Sequence, residues 1–115
     1  MKYIAILSSL FAASALALET RLTSAGIDAL LPTIVATTNT TRQTFSAQGA
    51  TTYTDRGRDS FGTWAARSDK YCPQWPPADG WACYGVLRDG NMLIWFGEGG
   101  HRTITTIEPK ESIHA

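Results

Sequence analysis

Apolar positions along this chain recur at two periods. Over residues 22–31, Ile27, Leu30 and Leu31 fall at helical spacing. Thr23 or Ser24 is available as an N-cap, and Pro32 stops the run, because proline disfavours helical geometry in the residue before it. This predicts one helix of one or two turns, packed as a lid on a sheet. No lysine cluster lines its polar side, which argues against a membrane-surface segment.

Beyond Pro32 the period falls to two. Thr33, Ile34 and Val35 open a strand, and residues 42–47 and 50–54 form a hairpin around Gln48-Gly49, with Phe45 and Tyr53 pointing inward. Residues 55–59 read as a turn carrying charges of both signs. In the strand over 60–67, alternation puts Gly62, Trp64 and Ala66 on one face and Phe61, Thr63 and Ala65 on the other. Gly62 beside Trp64 predicts an aromatic ring lying over bare backbone. Ser68-Asp69-Lys70 turns the chain into residues 71–84, two strands around a Pro-rich tip. Residues 81–88, an Asp89-Gly90 turn and a return strand over 92–97 form a further hairpin. Met92, Ile94 and Phe96 share one face of that return strand and Leu93 and Trp95 the other, so it is expected to be covered on both sides. Glu98-Gly99-Gly100 turns again, residues 101–107 form the last strand, Pro109 closes it, and 110–115 read as a frayed tail. About seven or eight short strands at roughly ten-residue spacing indicate an all-β fold, a small antiparallel barrel or a compact sandwich, with a short N-terminal helix.

The first seventeen residues follow neither period. Lys2 supplies a positive start, an apolar run extends over residues 4–16, and Ala15-Leu16-Ala17 offers a small-x-small cleavage site, with Ala13-Ser14-Ala15 as the alternative. Residues 1–17 thus read as a secretory signal peptide. They are shorter than the roughly 20 residues a bilayer span needs, so the mature chain, 18–115, is expected to be one exported domain without a membrane span. The whole chain carries 10 basic and 10 acidic residues, and losing Lys2 with the leader leaves nine against ten. Without a basic block, a nucleic-acid partner is not expected.

Export decides how to read Cys72 and Cys83. Two cysteines in an oxidising compartment pair as a disulfide, closing a loop worth roughly 3 kcal/mol in the chain-entropy model. That matters in a domain too small to bury much of its unfolded surface. Zinc would need four ligands, but only His101 and His114 accompany these cysteines and no paired spacing is present. A redox dithiol would need Cys-x-x-Cys.

Catalytic chemistry finds little support. His101 oriented by Glu98 is the one acid-base candidate, and no nucleophile motif accompanies it. Asp55 and Asp59 are flanked by Arg56 and Arg58, which hold carboxylates ionised rather than pushing their pKa values apart. No phosphate loop, dinucleotide fingerprint or calcium loop appears, so no catalytic residue, metal or cofactor is assigned. Asn39-Thr40-Thr41 matches a glycosylation sequon, meaningful only in a eukaryotic secretory pathway.

The aromatic residues carry more information. Trp64, Tyr84, Trp95 and Phe96 would line a barrel interior, with Arg58 or His101 as polar anchors; the competing reading is an ordinary aromatic core. Trp75, Pro76, Pro77 and Trp81 would form a stiff loop, either an interaction surface or a seal over one barrel end.

The pattern Gly62-x-Trp64, Tyr71-Cys72-x-x-Trp75-Pro76-Pro77, Trp81-x-Cys83-Tyr84-x-Val86 and Asp89-Gly90 with a following apolar strand resembles a group of small bacterial exported proteins of uncharacterised function. The resemblance covers roughly residues 22–107, and Ala36-Thr37-Thr38-Asn39 departs from the Gly-Asn-Thr expected there. It implies a lipocalin-like barrel in the periplasm or secreted, and carries no catalytic residues across. The leading expectation is therefore a non-enzymatic binding module for a small apolar ligand or an envelope component. A protein-interaction or inhibitor module using residues 75–81 is the alternative, and an enzyme using His101 and Glu98 the third.

Overall fold

The computed structural model describes residues 19–110. The expected signal peptide and its cleavage site fall outside them, as do residues 111–115. Nine antiparallel strands form one curled, barrel-like sheet: β1 (Thr20–Arg21), β2 (Ile34–Thr37), β3 (Thr41–Phe45), β4 (Ala50–Asp55), β5 (Arg58–Arg67), β6 (Lys70–Gln74), β7 (Gly85–Asp89), β8 (Met92–Phe96) and β9 (Arg102–Pro109). The two-residue β1 raises the count above the seven or eight read from the sequence. It has too few residues to show any alternation, so its pattern is invisible.

The sheet order is β1-β7-β8-β9-β2-β3-β4-β5-β6. Two meanders, β2 to β6 and β7 to β9, are joined where β2 pairs with β9. Their turns follow local chemistry. Arg56 (φ 51°) with Gly57 (φ 84°), and Ser68 (φ 53°) with Asp69 (φ 59°), make two-residue hairpins whose twist suits antiparallel strands. The first of these shrinks the expected 55–59 turn to two residues, and Arg58 and Asp59 continue into β5. The β7–β8 turn is Gly90-Asn91, one residue later than expected, because Asp89 pairs with Met92.

The seam between β6 and β7 is divided. Tyr84 stands just before β7 and pairs with Tyr71 through two 2.8 Å backbone hydrogen bonds. Farther along, β7 turns to β1, Thr20 facing Arg88 and Arg21 facing Leu87. The strand expected over residues 81–88 is thus a single bridge at Tyr84 followed by β7. Next to that bridge, Cys72 and Cys83 form a disulfide with their Cα atoms 4.1 Å apart. Such a close approach is typical of the non-hydrogen-bonded position of an antiparallel pair. The disulfide fits an oxidising, extracellular-type environment.

The helix α1 (Ser24–Leu30) is capped by Thr23, whose Oγ1 accepts from Gly26 N at 3.1 Å, and continues into a 3-10 turn over Leu31–Thr33. Its start is tied to the β5–β6 turn. Asp69 Oδ1 accepts from Ser24 N at 2.8 Å, and Asp69 N donates to Ser24 Oγ at 2.7 Å. A carboxylate here also suits the positive end of the helix dipole. The helix packs on β5 and β6 and the 3-10 turn on β3, so Ile27 and Leu31 are driven fully into the barrel and plug one end. Above this plug lie Phe45, Trp64, Tyr71, Val86, Leu93 and Trp95.

Lys110 is not frayed. Its N–H donates to Thr33 O and its Nζ to Pro32 O and Phe45 O, tying the end of β9 beneath the plug. Among the described residues no helix is long and apolar enough to cross a membrane.

Candidate functional site

Alternation explains what faces the open end. On β3, Phe45 points inward and is fully buried, so Gln43 and Thr41 share its face. The same parity brings Thr51 and Tyr53 inward on β4, Tyr71 and Pro73 on β6, and Thr103 and Thr105 on β9. With helix residues filling one end, these side chains, together with Thr38, Trp75, Tyr84 and Trp95, line a cavity of about 490 Å³ at the other. That volume lies in the range of small-molecule sites.

Its floor is an aromatic cluster. Tyr71 meets Trp95 edge-on with ring centres 5.0 Å apart, and Phe45 edge-on at 5.7 Å. Phe45 in turn stacks with Trp95 at 6.1 Å. Edge-to-face contacts place ring hydrogens against neighbouring π faces and stabilise beyond the buried area. The indoles are anchored: Trp95 Nε1 donates to Thr105 Oγ1 at 2.9 Å, and Trp64 Nε1 to Ser46 O at 3.1 Å. Gln43 Nε2 donates to Tyr71 Oη at 2.8 Å and to Thr51 Oγ1 at 3.0 Å. Burial pushes the Tyr71 phenol well above its ordinary value of 10.0, against the weaker opposing pull of Gln43 and Thr51. Tyr71 is therefore neutral in ordinary buffers.

One wall is Trp75. The ring expected over the bare backbone of Gly62 belongs to Trp75 rather than to Trp64. A Cβ on Gly62 would sit 2.7 Å from Trp75 Cε3 and 2.6 Å from Gln74 O. Trp75 also meets Tyr53 edge-on at 6.3 Å, extending the aromatic wall to the rim.

The sequence-derived site residues separate. Tyr84 and Trp95 border the mouth, whereas Trp64 lies in the packed core next to Phe45 and does not reach it. Phe96 is on the outer face. It alternates with the inward Trp95, covers Gly85 and lies between the guanidinium groups of Arg21 at 5.1 Å and Arg102 at 6.0 Å. Arg58 is exposed at the start of β5, paired in register with Asp55, and does not border the mouth.

His101 and Glu98 border a second cavity of about 560 Å³, with Lys70 and Trp81, which adjoins the mouth through Tyr84, Trp95 and Thr103. No hydrogen bond joins His101 and Glu98 among the described residues. No group of three or more His, Cys, Asp or Glu side chains placed to hold a metal occurs among the described residues. The Pro-rich loop is also divided. Trp75 turns into the mouth, Pro76 and Pro77 are exposed, and Trp81 is 39% exposed with the Arg67 guanidinium 4.7 Å above its ring.

Gln43, Tyr71 and the threonines of the mouth were not singled out from the sequence. The signal was present in part, because Thr41 and Gln43 share the parity of Phe45, whose inward direction the sequence does predict. No protein-family model, curated protein or solved structure matches the chain.

Proposed function

We propose that this protein is an exported, periplasmic or secreted binding module that takes a small, largely apolar ligand into the open end of its barrel. The observation that carries the proposal is the cavity of about 490 Å³ between the aromatic floor and the rim, bordered by Tyr53, Tyr71, Trp75, Tyr84 and Trp95 and by no charged side chain. A concave, mostly apolar site with a few fixed polar groups is the usual form of a small-molecule pocket. The helix plug fills the opposite end.

The test is titration of the oxidised protein with N-phenyl-1-naphthylamine, following dye emission and quenching of tryptophan fluorescence, together with native mass spectrometry of protein purified from an oxidising compartment. Saturable one-to-one binding that weakens in Trp75→Ala supports the proposal. Absence of both dye binding and co-purified mass sinks it.

The exposed tip favours a second reading, in which Trp81, Pro76 and Pro77 contact an envelope protein. Capture of a partner by wild type but not by Trp81→Ala would distinguish it.

A further inference from the structure

We infer that the occupant of the mouth is a neutral molecule carrying a hydroxyl group on an apolar body, and that Tyr71 and Gln43 hold that hydroxyl at the floor; this rests on reading the mouth as a ligand site. Its border contains no Lys, Arg, His, Asp or Glu. A carboxylate, phosphate or ammonium group drawn into it would lose its water with no opposite charge to meet it.

The floor supplies the polar half of the argument. The Thr51 hydroxyl donates to Thr44 O at 2.8 Å, so towards Gln43 it can only accept. This fixes the Gln43 amide with Nε2 directed at both Thr51 and Tyr71, and uses both amide protons. Gln43 Oε1 then accepts no hydrogen bond among the described residues. Tyr71 Oη accepts from Gln43 and donates none among the described residues, although Tyr71 is only 4% exposed. The Thr51 hydroxyl also stands near enough to the phenol to favour its ionised form, but its own proton is committed to Thr44 O. Buried polar side-chain atoms are satisfied in the large majority of cases, so the open donor of the buried Tyr71, beside the open acceptor of the half-buried Gln43 at a cavity floor, points to a ligand group there.

A hydroxyl both donates and accepts, and one ligand O–H meets both groups, accepting from Tyr71 and donating to Gln43 Oε1. A carbonyl would leave Oε1 unmet, and a hydrocarbon would leave both. The rings of Tyr53, Trp75 and Trp95 receive the apolar body.

The experiment compares four probes on the oxidised full mature chain: 1-decanol, decanoate, methyl β-glucopyranoside and N-phenyl-1-naphthylamine, each with wild type, Tyr71→Phe and Gln43→Met. Decanol is expected to bind about tenfold more tightly than decanoate, and to lose about tenfold in each variant while the dye is unaffected. Gln43→Met keeps the test decisive if Tyr71→Phe does not fold. Decanol binding with these losses supports the inference; methyl β-glucopyranoside binding in place of decanol overturns the apolar body and with it the inference. Decanoate binding as tightly as decanol, or variants that leave decanol affinity unchanged, overturns the hydroxyl assignment while dye binding preserves the mouth. Failure of every probe overturns both.

Discussion

Tyr71 gives this protein a defined alkaline limit. The side chain is 4% exposed among Phe45, Trp64, Tyr84 and Trp95, and among the described residues no cation is placed to stabilise a phenolate. Burial raises its folded-state pKa above the ordinary 10.0. A raised value means that the native state holds its proton where the unfolded state has released it. The associated stability is complete below pH 10 and is lost as pH rises towards the folded value. Once the unfolded chain is ionised, the slope is about −1.4 kcal/mol per pH unit, so the accumulated loss at pH 11 is about 1.4 kcal/mol. Tyr71→Phe keeps the ring and removes the titration. At pH 7 it forfeits only the Gln43 contact, about 1 kcal/mol. Urea unfolding of the oxidised wild type and variant from pH 7 to 11 should show a gap of about 1 kcal/mol in favour of wild type that closes near pH 11. A gap that stays flat or widens between pH 9 and 11 would refute the reasoning.

Three further outcomes follow from the packing. Gly62→Ala drives a Cβ against Gln74 O and the Trp75 ring; overpacking of this kind costs about 1–3 kcal/mol, a fall of several degrees in the melting temperature, together with altered Trp75 emission, and an unchanged melting curve would contradict the contact. Replacing Cys72 and Cys83 together by serine should lower the unfolding free energy by about 3 kcal/mol, read from the urea midpoint; a loss below 1 kcal/mol would show that the Tyr71–Tyr84 hydrogen bonds hold the seam without it. Asp69→Ala removes the acceptor for Ser24 N and should cost about 1 kcal/mol, with Asp69→Asn, which also tolerates the left-handed φ of 59°, recovering most of it in the same thermal scan; equal loss in both would assign the effect to the carboxylate charge rather than to the hydrogen bond.

The hairpins were legible in the sequence because alternation and turn residues act locally: Gln48-Gly49 and Ser68-Asp69 announce where the chain reverses. The inward direction of Phe45 and Tyr53 was legible for the same reason. The seam was not. Whether Tyr84 pairs with β6 and where β1 then takes over depend on closure of the sheet, and nothing near Thr20 or Tyr84 encodes a partner so distant in sequence. The misplacement of Phe96 has a related cause. Both faces of β8 are apolar, so composition gives no sign of which faces the interior, and the neighbouring Gly85 that receives the Phe96 ring comes from another strand. Gln43 illustrates the reverse problem: a polar side chain in a run of threonines carries no mark of its function until Tyr71 is brought beside it from 28 residues away.

The joining of two meanders through β2 and β9 also sets the order of folding. Each meander forms by local reversals, yet Phe45, Trp64 and Tyr71 come from the first and Val86, Leu93 and Trp95 from the second. Neither half can desolvate its aromatics alone. The slow step is therefore docking, which must close loops of about seventy residues, Ile34 to Pro109 and Thr20 to Arg88, before their contacts are gained. A chain emerging from its N-terminus holds β1 and the β9-facing edge of β2 unpaired until β7 and β9 arrive, so those edges are exposed to other chains for most of its synthesis.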